Sequence, residues 1–563
     1  MRVLIFHGYL LSGTGSNVYN ANLAAALRRA GHEVHLFSQE RHPERLDFVD
    51  AVGEWVDGRL TVRTLREPVR CTAYRPDIDG LLPVYVADRY EGVEAKPFPD
   101  LSPGELDRYL DANVAAVHQV VDRVAPDVAL ANHLVMGPVI LARGLDRSVP
   151  YAVVVHGSAL EYTVKPHPRF LPFAHEGVER ARCVLVGSRH TAESLWAALD
   201  DPALPARTRL GPPGVDIETF QPRTPDAAAA GLRGLVEHLA EPSAPDDDTS
   251  FPRDTAAAAR SLARLCPDKD RLVLFLGKEI LSKGLDLLLA AWPLVLQRQP
   301  DAHLVVTGFG AWHTTALRMT DALAAGDLDA TRTIAEQGRA AEGGSAGPLR
   351  HLLAFLDSLE GDDRRRYLDA AARMHERVTF TGRLVHEELA DLLPACEALV
   401  VPSTFPEAYG MVAAEAACCG TLPVSADHSG LAEVSRVLEA AVPPEVAPWL
   451  RFRVDDDAVP HLATCLIRWL GAPAPLRERT RRALARFARD RFSWDGVART
   501  MIAAARGELD DLPRVNGRTG PPRGRKAWRG GRHQAPAGRL MITSSGPGRD
   551  KPTSQRSSGV EPG

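Results

Sequence analysis

At 563 residues the chain can build at least two full hydrophobic cores, and 45% apolar with 25% charged residues is the mix of a water-soluble globular protein. The net charge of −5 hides an asymmetry: from Arg514 onward eleven Lys or Arg stand against Asp550 and Glu561, leaving −14 on the rest. An acidic body excludes nucleic acid as the expected main partner, and no apolar run approaches the ~18 residues of a membrane span.

Seven cysteines are scattered without a CxxC pair, so neither a disulfide framework nor a zinc site follows. Reduced thiols, and a start (Met1 to Gly8) too broken for a signal-peptide core, point to a cytoplasmic protein.

In chain order, Val3–Phe6 reads as a buried strand, followed by a loop containing Gly13 and Gly15. Asn17–Ala30 has helical spacing, with Ser16 as its N-cap and Gly31 as its stop, and Glu33–Phe37 is the next strand. Strand, glycine loop, helix and strand make the βαβ unit of a doubly wound sheet. Glycines at such a turn let an anion approach the helix start, though many domains use them only to turn tightly. The full dinucleotide fingerprint is missing, because Val18 stands where its third glycine belongs.

Residues 40–125 give no firm elements. Pro83–Glu91, aromatic and charged, reads as a surface loop or as part of an acceptor pocket. Three strands follow, Asp127–Ala131, Tyr151–Val155 and Arg182–Val186. His156 directly follows the second, at the carboxyl edge where such sheets hold ligands. Pro212–Asp216 is a turn cluster suited to a hinge. Residues 223–268 alternate alanine-rich pieces with Pro/Asp runs and are expected to form a mobile surface insertion.

Arg271–Gly277 opens a second series of strands. Lys278 and Lys283 bracket the loop after it, and a helix begins at Leu285. Fixed cations there suit a departing diphosphate; solvated loop lysines are the plainer reading. Ala302–Thr307 is a strand, and 311–376 is expected to hold two or three polar helices serving as a partner surface or a lid. Arg377–Phe380 is a strand with the turn Thr381–Leu384, His386–Leu393 a helix, and Arg477–Leu509 a helical stretch. The tail from Leu512 is basic, of low complexity and expected to be disordered, with a composition able to touch anionic membrane surfaces or nucleic acid.

The centre of the chain is Val401–Val434. The strand Ala398–Val401 stops at Pro402, a loop carries Glu407, and Met411–Cys419 reads as a helix ended by Gly420. Helical geometry of 100° and 1.5 Å per residue places Glu407 and Glu415 on much of one face, roughly 12 Å apart. Free N–H groups of a helix start between them attract anions. A nucleotide sugar fits that frame. Alanines on either side of Glu415 predict a closely packed helix that keeps this carboxylate from bulk water.

Pro406-Glu407-Ala408-Tyr409-Gly410 through Glu415 resembles the E-x7-E element of glycosyltransferase family 4, retaining enzymes of the α/β GT-B fold with two Rossmann-like domains facing a central cleft. Gly277–Gly284 is similar to that family's G-R-x4-K-G element, with Lys278 in place of arginine, which keeps the charge and loses the bidentate fork. The resemblance implies an N-terminal acceptor-side domain at 1–210, a hinge at 211–222, the insertion 223–268 and a nucleotide-sugar domain at 269–490 containing the insertion 311–376. A closing helix at 491–511 would return to the first domain, ahead of the tail 512–563.

It also implies sugar transfer from a nucleotide-sugar donor, commonly a UDP-sugar, with no metal or other cofactor. Glu407 and the N–H groups of Tyr409, Gly410 and Met411 would hold the sugar, Glu415 the ribose, Arg383 and Leu384 the base. Lys278, Lys283 and the Gly13–Gly15 loop would stabilise the diphosphate, and His156 would reach the sugar from the other domain. The acceptor is left open. The rival readings are a nucleotide-sugar epimerase, a glycan phosphorylase, and a non-catalytic sugar-nucleotide binding or scaffold protein.

Overall fold

The structure is a computed structural model describing residues 1–13, 15–85, 94–241, 253–342 and 347–515. Residues 86–91 of the aromatic stretch, the Pro/Asp run at 242–248 and the tail from 516 lie outside the described residues.

Two sheets carry the chain. The first runs, edge to edge, Thr208–Leu210, Cys183–Val186, Tyr151–Val155, Val128–Asn132, Arg2–Phe6, Glu33–Phe37, Cys71–Arg75, Ala51–Val56 and Arg59–Thr64. Every pair is parallel except the final hairpin. The second is wholly parallel: Val378–Gly382, Ala302–Phe309, Arg271–Lys278, Ala398–Val401, Leu422–Ala426 and Arg451–Phe452. These are the two doubly wound halves expected from the sequence. Their strand order reverses at Arg2–Phe6 beside Val128–Asn132 in the first sheet, and at Arg271–Lys278 beside Ala398–Val401 in the second. Such reversals open the crevices in which doubly wound sheets bind ligands.

Alternation along each strand sends neighbouring side chains to opposite faces. Leu4 and Phe6 join one apolar core, Val3 and Ile5 the other. The second face is covered by helix Gly15–Arg29 and by the C-terminal helix Trp494–Arg506, whose Trp494, Val497, Met501 and Ala504 are buried there. The stretch read as one helix over Arg477–Leu509 is two, Ala474–Arg491 and Trp494–Arg506. The break falls where the chain pairs with the hinge: Val215 N–H donates to the Phe492 carbonyl at 2.6 Å. Among the described residues no helix is long and apolar enough to cross a membrane.

The expectation of a mobile insertion at 223–268 is corrected for residues 225–240 and 255–262. Helices Pro225–Ala240 and Thr255–Leu262 bury Leu232, Leu235, Leu239, Ala258 and Leu262, at helical spacing, against helix His386–Leu392 and strand Val378–Gly382. Residues 311–376 also differ from the expected two or three polar helices. Among the described residues five α-helices between His313 and Arg377 turn Met319, Leu323, Ile334, Phe355 and Tyr367 into the core, and Tyr367 Oη donates to the Ala290 carbonyl at 2.9 Å.

One buried acid in this half has a measurable consequence. Asp286, in the first turn of helix Leu285–Arg298, leaves Oδ1 buried without a partner among the described residues. Burial pushes its carboxyl from 3.8 up to about 7, against the pull of backbone N–H groups at the helix start. The unfolded chain ionises first, so stability is full below pH 4 and falls as pH rises toward 7. About three pKa units correspond to roughly 4 kcal/mol as an upper bound. Asp286→Asn is expected to raise Tm by several degrees at pH 8 and to leave it nearly unchanged at pH 4 in thermal unfolding followed by circular dichroism. Equal shifts at both pH values would remove ionisation as the cause.

Candidate active site

Lys283 and Glu407 sit on the two loops that leave the second sheet at its reversal point, and their side chains form an ion pair. Two contacts bring these loops together. Gly284 has φ +70°, and a Cβ on it would lie 1.9 Å from the Pro402 carbonyl oxygen. Ser282 O accepts from Thr404 N at 3.0 Å.

Glu407 is then fixed by a closed ring of hydrogen bonds. Its N–H donates to Ser429 Oγ (2.9 Å), whose hydroxyl donates to His428 Nδ1 (3.0 Å). His428 Nε2–H donates to the Ser403 carbonyl (2.7 Å), and Ser403 Oγ–H returns to Glu407 Oε1 (2.8 Å). Each member has one donor role and one acceptor role, which sets His428 as the Nε2–H tautomer. Burial holds His428 below its ordinary pKa despite the Ser403 carbonyl, so the imidazole is neutral near pH 7. For Glu407, burial pushes the carboxyl up, and the Lys283 ammonium with the Ser403 hydroxyl more than reverses this. A carboxylate this well held is ionised and aimed.

Glu407 is therefore placed by its loop. Helix Met411–Cys418 begins four residues later, so the helical-face reckoning that joined Glu407 to Glu415 does not apply. Glu415 lies inside that helix at 4% exposure. Burial raises its pKa against the opposing charge of His386, whose Nε2 is 3.9 Å from Oε1. Among the described residues no acceptor takes the N–H of Tyr409, Gly410 or Met411, and Gly410 adopts φ +122° at the helix start.

The first sheet meets this loop directly. Gly157, at φ +95°, and Gly187 flank the segment after Glu407; a Cβ on Gly157 would lie 2.9 Å from Ala408 Cβ, and one on Gly187 3.3 Å from Ala408 O. On the other side a Cβ on Gly430 would lie 2.3 Å from Ala408 O. Tyr162 stacks on Phe405 with centroids 5.3 Å apart. His156 stands beside Gly157, its Nε2 2.8 Å from Asn132 Oδ1 and its ring edge-on to Tyr19. Because Asn132 Oδ1 only accepts, Nε2 carries the proton and Nδ1 is left as an acceptor. Burial, with a smaller effect from His7, pushes His156 down to about 3, so it acts as a neutral imidazole.

Other expected site residues stand apart from this cluster. Lys278 ends its strand with Nζ 6.0 Å from the Phe309 ring centroid. Half-buried Arg383 and buried Leu384 follow strand Val378–Gly382. Gly13, at φ +86°, lies just before the first helix and Gly15 at its start, where a Cβ would meet nothing within 4 Å. Among the described residues no hydrogen bond or ion pair joins these residues to Glu407, which bonds instead to Lys283, Ser403 and Ser429.

Ser403, His428 and Ser429 escaped sequence reasoning because only the fold closes their ring. Glu433 escaped as well. Its carboxylate, carried by helix Ser429–Glu439 of the second half, accepts from Arg189 N (2.8 Å) and His190 N (2.9 Å) at the start of helix Arg189–Leu199 in the first. A carboxylate on two free N–H groups of a helix start is worth about 1–2 kcal/mol. Glu433→Ala is expected to enlarge the radius of gyration in small-angle scattering. An unchanged radius would show that this contact does not hold the two halves together.

Residues 14–214 match the family model "Glycosyl transferase 4-like domain", and residues 347–445 match "Glycosyl transferases group 1". A D-inositol 3-phosphate glycosyltransferase from Xylanimonas cellulosilytica is 27% identical over 503 residues, covering 87% of this chain and 90% of that protein. A glycogen synthase from Mycobacterium tuberculosis is 34% identical over 162 residues, 28% of this chain and 36% of its own length. Among solved structures, sucrose-phosphate synthase from Thermosynechococcus elongatus superposes with a TM-score of 0.54 at 19% identity, over 90% of this chain and 99% of that one. The catalytic domain of starch synthase IV from Arabidopsis thaliana, bound to ADP and acarbose, gives 0.54 at 14% identity over 90% and 99%.

Proposed function

We propose, from the premise that this chain belongs to glycosyltransferase family 4, that it moves a sugar from a UDP-sugar to an acceptor hydroxyl with retention at the anomeric carbon. One observation carries this reading: the Lys283–Glu407 pair, on two loops at the reversal point of the second sheet, faces the strand ends of the first. UDP is chosen because a structural neighbour from Anabaena with a TM-score of 0.52 holds UDP and glucose.

In this reading the donor's diphosphate draws Lys283 away from Glu407, and the freed carboxylate accepts from sugar hydroxyls. The unpartnered N–H groups of Tyr409, Gly410 and Met411 complete the sugar site, and Glu415 receives the ribose hydroxyls. Lys278 and the Gly13–Gly15 loop add to the diphosphate site, while Arg383 and Leu384 border the base. His156 presents Nδ1 as an acceptor for a sugar hydroxyl. The bond from anomeric carbon to phosphate oxygen breaks, and the acceptor oxygen bonds to the same face. The acceptor's proton passes to the departing phosphate oxygen. Positioning and preorganised charge supply the rate.

The test is release of nucleoside diphosphate from UDP-, GDP- and ADP-sugars by the wild type beside Glu407→Ala. Slow hydrolysis of a UDP-sugar, lost in the variant, is expected. Binding without turnover of any donor, with or without a panel of polyol and sugar acceptors, would overturn the reading.

A further inference from the structure

Away from the strand ends, a cavity of about 290 Å³ opens where the hinge meets helix Ala474–Arg491. Five arginines line it: Arg223 from just after the hinge, and Arg481, Arg482, Arg486 and Arg489 from the helix. Three of the five are engaged in holding the structure. Arg223 pairs with Asp391 at 2.5 Å. Arg481 donates to the Pro394 and Cys396 carbonyls at 2.8 and 3.1 Å and lies 3.6 Å from Glu397, a carboxylate also approached by Arg477. Arg489 donates to the carbonyls of Ile217 and Phe220, in the segment that leads out of the hinge.

Backbone carbonyls orient a guanidinium without cancelling its charge, so Arg489 keeps its full positive charge. At the rim Arg482 has only Glu478, at 3.5 Å, and Arg486 has no carboxylate partner among the described residues. The lining therefore carries a surplus of positive charge on forks whose geometry matches phosphate.

We propose that this cavity is an effector site for a phosphate monoester of a small sugar. A volume near the lower end of small-molecule pockets, roughly 300–1,000 Å³, admits a hexose phosphate and excludes a nucleotide sugar. The site is separate from the donor site. Cys419, in the cavity wall, follows the last residue of the helix that begins four residues after Glu407, so the cavity and the proposed sugar site lie at opposite ends of one helix. A phosphate bridging Arg223 to Arg482 and Arg486 would tie the segment after the hinge to the helix that leads back into the first half. The ligand thereby restrains the joint between the two sheets.

Calorimetric titration of the full chain with glucose 6-phosphate, at low ionic strength, is the test. Binding is expected, at least tenfold weaker for inorganic phosphate and absent for glucose. Both affinities should fall at least tenfold in Arg482→Glu/Arg486→Glu, whose Tm stays at the wild-type value because neither side chain bonds to the backbone. Amide exchange in 211–222 should slow on addition of glucose 6-phosphate. Absence of binding, binding that survives the double variant, or equal affinity for inorganic phosphate would overturn the assignment. The readout is binding alone, so a failure here leaves the transferase reading untouched.

Discussion

Lys283→Met is expected to lower donor turnover by roughly 10²–10³-fold, the usual cost of removing one preorganised group that stabilises developing charge. Two effects combine. In the proposed mechanism the departing diphosphate would lose its cation, and in the resting protein Glu407 loses the ammonium that offsets its burial. The carboxyl then rises toward protonation and stops being a committed acceptor. Both side chains are partly shielded, at 32% and 23% exposure, so their coupling exceeds that of a surface pair. A double-mutant cycle with Glu407→Gln separates the contributions. If the two residues act as a unit, the double variant is no slower than the slower single. Losses that multiply would mean independent roles, and Lys283→Met retaining more than a tenth of wild-type turnover would remove the lysine from the chemistry.

Gly284→Ala is the second large effect, and it acts through backbone alone. An alanine at φ +70° costs about 1–2 kcal/mol from conformation. The 1.9 Å approach to the Pro402 carbonyl adds a clash with a rigid strand end that no rotamer relieves. Relief requires parting the loop 278–284 from Pro402–Thr404, which breaks the Thr404 N to Ser282 O bond and withdraws Lys283 from Glu407. The expected outcome is a Tm lower by more than about 5 °C and donor hydrolysis reduced at least a hundredfold. Gly58 provides the comparison: at φ +72°, in the turn of hairpin Ala51–Thr64, its added Cβ meets nothing within 4 Å. Gly58→Ala should cost only the conformational strain and leave turnover intact. Similar losses from the two alanines would show that the close approach has no special consequence.

The strand–loop–helix–strand order around Glu407 was legible because Pro402, Gly410 and Gly420 punctuate it and the apolar runs between them are short. The packed surroundings of Glu415 were legible too, since a helix of alanines has no room for water beside it. What escaped notice was long-range. The ring through Ser403, His428 and Ser429 and the contact of Glu433 with the start of helix Arg189–Leu199 join residues up to 244 positions apart, and nothing local marks them. The helices of 223–268 were misread because alanines and exposed arginines dilute the spacing of Leu232, Leu235 and Leu239. Residues 40–125 were unread because Arg59–Thr64 is a polar edge strand and Glu94–Pro97 pairs in a small separate ribbon.

The helix Trp494–Arg506 that covers one face of the first sheet has a consequence for the order of synthesis. The strands of that sheet are complete at Leu210, yet Trp494, Val497, Met501 and Ala504 come about 280 residues later. At roughly 5–20 residues per second, a ribosome leaves the part of that apolar face beside helix Gly15–Arg29, including the edge of Tyr19, uncovered for some 15–60 s. During that interval the first half is a sheet with one face only partly covered. The last helix described is thus the one that finishes the first domain begun.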